Sequence, residues 1–445
     1  MNIVIIGTHD ISGGAARAMY RLHKGFQNIG ENAYIISKIK KSDNAKVFKI
    51  NPIFDLVNHS NIETKKWIQD EYIDNGRSKL SNTLFTFPYY GYDLSELEII
   101  QKADIINLHW VALFQSPETI SRLLSLGKPV VWTLHDMRAF SGGCHYSAGC
   151  RGFEDGCFNC PQIANDDLNI PAMVLQLQKK YYGNSQINIV TPSKWLAEEA
   201  KKSAVFCNSK VEVILNGLDI NVFRPTDKHE ARKILGLDSN KKYLLFGADS
   251  TGSTYKGFNL LLETLSKLNR VDDIVLLIFG SEHEDIKQLN ISYKCFSKVK
   301  DDEKLSIIYS AADIFLLPSY EDNLPNVMLE SFACGTPVVA FEVGGAADII
   351  NNGATGYLVP AYDTSIFSLK VEALLNNDME LVAMSRSCIE FANHNFSVEK
   401  QANAYKELFL KLCIKCEEDV PHIAFSDNLT IDVNIIGMQN DILGC

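Results

Sequence analysis

Two carboxylates at a spacing of eight, Asp322 and Glu330, flank a proline in the stretch LLPSYEDNLPNVMLESFACGTPVVAFEVGG (residues 316–345). If a helix starts at Asn326, Asp322 precedes it and Glu330 stands one turn inside. The first N–H groups of such a helix are unpaired and draw anionic groups, while two carboxylates accept hydrogen bonds from vicinal hydroxyls. That combination suits a sugar joined to a diphosphate. An acidic helix start is also favoured by the macrodipole alone, so the wider context has to decide. Glu321, one position out of register, competes with Asp322. A second charge of the right sign is Lys256, which closes the loop GADSTGSTYKG (247–257) and can neutralise a phosphate. The loop lacks GxxxxGK[ST] and is no P-loop. His135-Asp136 follows the apolar run VVWTL; a histidine there can bond a sugar hydroxyl or phosphate, although one satisfied by local backbone would read alike. His109 ends a neighbouring run in the same way and is the weaker candidate. Four thiols, Cys144, Cys150, Cys157 and Cys160, crowd GGCHYSAGCRGFEDGCFNCPQ (142–162). Cys157-x2-Cys160 offers half of a tetrahedral zinc set, but the other spacings fit no standard framework; buried free thiols and a redox pair are the alternatives.

These residues need strands and helices to hold them. Strand patterns at 2–6, 105–109, 130–134, 188–191 and 211–215 alternate with helical patterns at 117–126, 172–182 and 193–202, the rhythm of a parallel sheet covered on both faces. The first run leads through Ser12-Gly13-Gly14 into a helix ending at Gly30. The pair of glycines admits close ligand approach, but the spacing is not GxGxxG. Residues 44–92 break the rhythm and read as an insertion with short helices over one face. The rhythm resumes with strands at 243–246, 274–279, 314–317 and 337–341 and helices at 258–268 and 326–334; helices at 367–376, 381–393 and 398–413 close the chain. Residues 420–445 have no period and read as a loose tail. The expected fold class is therefore α/β, with two Rossmann-like parallel-sheet domains, 1–220 and 221–397, facing a cleft.

Taken together, the stretch 314–345, the Gly13-Gly14 loop, VVWTLHD and Asn216-Gly217-Leu218-Asp219 followed by Phe223-Arg224-Pro225 resemble the retaining glycosyltransferases of family 4, which have the GT-B fold. The family usually writes Glu-x7-Glu; here the first acid is Asp322, one methylene shorter. The resemblance implies that Asp322 holds hydroxyls of the donor sugar, that Asn323 and Leu324 offer backbone amides, and that Glu330 holds the ribose. It implies further that Gly13 and Gly14 lie against the donor phosphate, that Asn216 sits at the interdomain crossover, and that His135 helps position the donor. His135, Lys256 and Asp322 form the expected catalytic set, with Lys256 and helix N–H groups stabilising the leaving diphosphate, and no cofactor is required for catalysis. The family usually pairs the lysine with an upstream arginine, near Ala248 or Asp249 here; none is present, and Arg17 is a candidate to substitute. The base is expected near Val299–Asp302. The cysteine loop resembles one in a polysaccharide-biosynthesis subgroup, which implies a saccharide or lipid-linked saccharide acceptor in capsule, exopolysaccharide or O-antigen assembly. By the same analogy the helix at about 398–416 packs back on the first domain. A GT-B epimerase and a non-catalytic sugar-nucleotide binder are the alternatives; a phosphorylase would need a lysine-bound pyridoxal site, and no G-x-S-x-G turn supports a hydrolase.

Composition limits the partners. Apolar residues make up 46% and charged residues 22%, ordinary for a globular chain. Net charge is −11 and falls almost wholly in residues 221–445, which argues against nucleic acid. No apolar run is long enough to span a bilayer, and MNIVIIGTHD has no basic n-region, so the expected location is cytoplasmic. Contact with the inner face of a membrane would fall to lysine clusters of the first half, such as Lys38, Lys40 and Lys41 or Lys179 and Lys180, which also read as a solvated surface.

Overall fold

The computed structural model describes residues 1–50, 67–81, 83–88, 91–247, 254–269, 271–280, 284–288 and 291–418. Positions 248–249, where the resemblance places a second diphosphate cation, part of the central insertion (51–66, 82 and 89–90) and the tail 420–445 lie outside them.

Two parallel sheets organise the chain. The first contains β1 (Asn2–His9), β2 (Asn32–Ile39), β3 (Val47–Lys49), β4 (Ile105–Leu108), β5 (Val130–Thr133), β6 (Asn188–Thr191) and β7 (Lys210–Val213), in the order β3-β2-β1-β4-β5-β6-β7. The second contains β8 (Lys242–Gly247), β9 (Ile274–Phe279), β10 (Ser292–Cys295), β11 (Ile314–Leu317), β12 (Val338–Phe341) and β13 (Gly356–Val359), ordered β10-β9-β8-β11-β12-β13. All the strand pairs are parallel, for instance Ile5 opposite Ile35 and Leu316 opposite Val339. Each order reverses direction beside its first strand, and ligands of open α/β sheets bind outside the carboxyl ends at such a switch point.

Side-chain alternation explains why both faces of each sheet are covered. In β1, Ile3 to Thr8 are all buried; Val4 and Ile6 join one apolar cluster while Ile3 and Ile5 join another. In β8, Tyr243 and Leu245 face one layer, Leu244 and Phe246 the opposite one. The edge strands β3 (VFK) and β10 (SYKC) are short and mostly outside the core, so their place depends on the neighbour they extend.

The last helix, Val398–Glu418, crosses back to the first domain and packs on the helix Gly14–Asn28. Phe26, Tyr405 and Phe409 are fully buried there, each contributing roughly 1.5–3 kcal/mol relative to exposure. Gly25 makes the approach close: a Cβ at that position would lie 2.5 Å from the Val398 carbonyl oxygen. Part of the insertion has a defined role. The turn Ile68–Asp74 and residues 83–88 cover the cysteine loop, where Ile73, Phe85 and Phe87 pack with Cys144, Ile163 and Val174. Among the described residues no helix is long and apolar enough to cross a membrane.

Candidate active site

A cavity of about 460 Å³ opens between the carboxyl ends of the two sheets. Gly13, Gly14, His135, Asn216, Lys256, Asp322, Asn323, Leu324 and Glu330 all line it. Lys256 and Glu330 thus share one crevice, although Lys256 comes from the turn after β8 and Glu330 from the helix after β11.

The segment after β11 reaches the cleft because two glycines let β12's outgoing loop press against it. A Cβ on Gly344 would lie 1.8 Å from the Asp322 carbonyl oxygen, and one on Gly345 1.7 Å from that of Asn323. The Gly345 N–H donates to Asp322 O at 3.0 Å. Pro325 then caps the helix Asn326–Ala333 at its N-terminus. Gly257, at φ 72°, brings the Lys256 turn equally close to the end of β11, where a Cβ would meet the Pro318 carbonyl oxygen at 1.8 Å. Lys256 Nζ consequently sits 2.5 Å from Asp322 Oδ2. Burial opposes the ammonium charge, but Asp322 and the Tyr255 phenol outweigh it and hold Lys256 protonated.

The two domains meet through these same residues. Tyr146, from the cysteine loop, donates its hydroxyl toward Asp322 Oδ1 at 3.4 Å and accepts the Asn323 N–H at 3.2 Å. That amide is therefore engaged across the cleft rather than open to a ligand, unlike the role the resemblance implies for it. Asn323 Nδ2 donates to the His135 carbonyl at 3.1 Å, and its Oδ1 accepts from Ser193 at 2.5 Å. Glu321 also crosses: it accepts the Ala148 N–H at 3.0 Å. Burial pushes its carboxyl up to about 7 against the pull of the Ala148 and Ser147 amides.

Glu330 is only 2% exposed, and both its oxygens are occupied. Oε1 accepts from Arg21 Nη2 at 2.7 Å with Arg17 Nη2 at 3.7 Å, and Oε2 accepts the Tyr309 hydroxyl at 2.9 Å. Arg17 also pairs with Asp302 at 2.5 Å, at the start of the helix Asp302–Ala311. Arg17 and Arg21 are one helical turn apart, so a single face of the helix Gly14–Asn28 delivers both guanidinium groups. Glu330 is thus an interdomain ion-pair centre as well as a wall of the cleft. Arg17 lines the cavity too.

His135 stands at the end of β5. Its Nε2 lies 2.9 Å from His109 Nδ1. Burial lowers His135 to about 4, with Asp136 pulling partly the other way, and burial together with the His135 charge puts His109 well below its usual range. Both are neutral near pH 7. Asp136 turns away from His135: its Oδ2 accepts from His145 Nδ1 at 2.6 Å and Trp110 Nε1 at 2.8 Å. Burial works against its charge, yet His145, the Arg138 N–H and Trp110 keep the carboxyl below the ordinary range.

His145, Tyr146, Arg21 and Tyr309 were not singled out in the sequence. The only local signal for the first two is their position inside the cysteine loop, whose thiols drew attention instead. Cys144, Cys150, Cys157 and Cys160 do converge on one small cavity of about 20 Å³. Burial raises the Cys144 thiol well above its normal value and moves Cys157 to about 12 and Cys160 to about 11. Among the described residues, however, no three His, Cys, Asp or Glu side chains are grouped so as to hold a metal ion. The thiols share a cavity without forming a ligand set, so the arrangement lends the zinc expectation no support.

Comparison with known proteins agrees with this picture. Residues 227–394 match the family model described as glycosyl transferases group 1. A D-inositol 3-phosphate glycosyltransferase of Catenulispora acidiphila is 31% identical over 200 residues, which cover 41% of this chain and 46% of that protein. The corresponding Mycolicibacterium smegmatis enzyme is 32% identical over 195 residues, 41% of this chain and 44% of that one. The match therefore spans less than half the length of these relatives. Among solved structures, sucrose-phosphate synthase of Thermosynechococcus elongatus superposes with a TM-score of 0.64 at 17% identity, covering 93% of this chain and 99% of that one. Anabaena HepE in complex with UDP-glucose gives 0.61 at 15% identity, with 92% and 99% covered. These likenesses establish the fold, two Rossmann-like domains in the GT-B arrangement.

Proposed function

We propose that this chain is a retaining glycosyltransferase that moves a sugar from a nucleotide-sugar donor to a saccharide or lipid-linked saccharide acceptor. One observation carries the reading: Lys256, Asp322, Glu330, Gly13-Gly14 and His135, drawn from both domains, line a single cleft between the carboxyl ends of two nucleotide-binding-type sheets. The family match over residues 227–394 and the UDP-glucose held by HepE add support for the donor class.

In this reading the donor displaces the Lys256–Asp322 pair. Lys256 then faces the departing diphosphate, with Arg17 as a second cation from the opposite wall, and Asp322 accepts hydrogen bonds from sugar hydroxyls. The bond from the anomeric carbon to the phosphate oxygen breaks, and the acceptor oxygen bonds to the same face of that carbon. The acceptor's proton leaves with a phosphate oxygen. Charge placed in advance where the leaving group develops it lowers the barrier, and a site closed from water strengthens each such contact.

The curated relatives, by their names, glycosylate D-inositol 3-phosphate. That makes a polyol phosphate the competing acceptor class. A thermal-shift panel of nucleotide sugars tests the donor, because a ligand selective for the native state raises its melting point. A donor that stabilises is then offered to saccharide, lipid-linked and inositol-phosphate acceptors, and the anomeric configuration of the product is read by NMR. Inversion at the anomeric carbon overturns the retaining mechanism. Stabilisation by a donor without hydrolysis or transfer, in wild type and Asp322→Ala alike, would favour a non-catalytic binder.

A further inference from the structure

Beneath the cleft, a line of side chains leads from the core of the first sheet to His135. Asn107, in β4, is fully buried. Its Nδ2 donates to the Val131 carbonyl oxygen and to Thr133 Oγ1, each at 3.1 Å. Its Oδ1 lies 2.9 Å from His109 Nε2. His109 Nδ1 in turn lies 2.9 Å from His135 Nε2. The backbone of His109 is held on both sides: its N–H donates to Ile6 O, and its carbonyl accepts the Trp132 indole at 3.0 Å.

A backbone carbonyl can only accept, so Val131 O decides which way the Asn107 amide faces. Turned over, the amide would put oxygen against oxygen inside the sheet and leave a buried acceptor unpaired. With Oδ1 toward His109, Nε2 of that ring must carry the hydrogen. A neutral His109 then has a bare Nδ1, which accepts, so His135 must donate from Nε2. The neutral His135 is left with a lone pair on Nδ1, and no protein group among the described residues bonds that nitrogen.

We infer that Asn107 and His109 are positioning residues that fix His135 as its Nε2–H tautomer, so that Nδ1 meets a bound sugar as a hydrogen-bond acceptor. The group that fits such an acceptor is a hydroxyl, and an ether, a deoxy or a fluoro position does not. His135 therefore selects for a free hydroxyl and does not donate a proton to the reacting oxygen. The depressed basicity of both rings agrees with this. The tautomer is a property of the chain alone, whereas its use against a sugar rests on the nucleotide-sugar reading above.

The test uses the full chain labelled with 15N-histidine and a two-bond 1H–15N correlation spectrum, with His135 assigned by its loss in His135→Gln. The expected wild-type spectrum shows a protonated, pyrrole-type Nε2 and a bare, pyridine-type Nδ1. Asn107→Leu removes the fixed acceptor and should move both His135 nitrogens toward averaged values, with donor KM rising about tenfold, the worth of one hydrogen bond. Asn107→Asp keeps an oxygen opposite His109 Nε2 but turns its other oxygen on the Val131 carbonyl, a contact that only the protonated carboxyl can make as donor; at a pH where that proton is held, the wild-type pattern should be retained. A proton on Nδ1 in the wild type overturns the inference, as does an unchanged tautomer in folded Asn107→Leu. Should the leucine variant not fold, the wild-type and Asn107→Asp spectra decide. A panel of deoxyfluoro donors reads the second half: equal turnover of every analogue removes the hydroxyl role. The stated tautomer in a protein that turns over no nucleotide sugar would leave the relay standing and the functional reading refuted.

Discussion

Replacing Lys256 by methionine should separate two roles that share one side chain. Lys256 is 19% and Asp322 9% exposed, and their charged atoms are 2.5 Å apart. Removing one partner of a buried pair costs about 3–5 kcal/mol, because the other charge stays behind uncompensated. The partial exposure of Lys256 to the cleft lets water screen the pair, which brings the figure to about 2 kcal/mol. For a domain of this size that is a fall of roughly 4–8 °C in melting temperature. The same substitution removes a preorganised charge from the leaving diphosphate, a loss of about 10²–10³ in kcat. Lys256→Met/Asp322→Asn eliminates the stranded carboxylate, so stability should return nearly to the wild-type value while activity stays low. Thermal unfolding without ligand reads the first effect, and donor turnover under saturating conditions reads the second. The reasoning fails if the double variant is no more stable than Lys256→Met, or if Lys256→Met keeps kcat within a few-fold of wild type.

Glu330→Gln should cost about 3 kcal/mol, since Arg21 remains buried beside a neutral amide, and Arg21→Leu added to it should recover part of that loss in urea unfolding; strict additivity of the two would deny the pair. Gly25→Val should detach the helix Val398–Glu418 from its neighbour, because the new side chain enters the space of the Val398 carbonyl; faster hydrogen exchange in residues 398–412 is the expected readout, and unchanged protection would contradict it. For pH, two groups act in opposite senses. His135 titrates at about 4 folded against 6.5 unfolded, so the unfolded chain binds more protons between those values and stability declines as pH falls below 6.5. Glu321 titrates at about 7 folded against 4.5 unfolded, so its contribution is complete below 4.5 and is lost as pH rises through 7. Glu321→Gln should therefore gain on the wild type in melting temperature between pH 5 and pH 8, and a pH-independent difference would refute the assignment.

Strands buried on both faces announce themselves as short apolar runs, and the runs at 274–279 and 314–317 coincide with β9 and β11, as the pattern at 188–191 does with β6. Several other ends shift by a residue or two, as at Pro337, which precedes β12 because proline has no N–H to give a ladder. The edge strand β10 carries no such run, since a strand with one neighbour needs less apolar surface. The cysteine loop was conspicuous for its thiols, yet Tyr146 and His145 beside them are what reach the cleft. Thiol spacing suggests a metal, but ligand geometry depends on how the loop folds around Phe85 and Phe153, which spacing does not encode.

The amino-acid order by itself determined the two α/β domains and the residues at strand ends and helix mouths, because local apolar period, glycine and proline act over a few residues. It also drew Lys256, Asp322 and His135 to notice by type and position. Only the tertiary structure decided that Glu330 belongs to Arg21 and Tyr309, that Asn323 is bound to His135 and Tyr146, and that Asn107 governs a histidine ring two side chains away. Arg21 and Glu330 are 309 positions apart, and Asn323 and His135 188. No local rule spans such separations; they close because the carboxyl ends of two separate sheets are brought face to face, where charge and hydrogen-bond complementarity choose the partners.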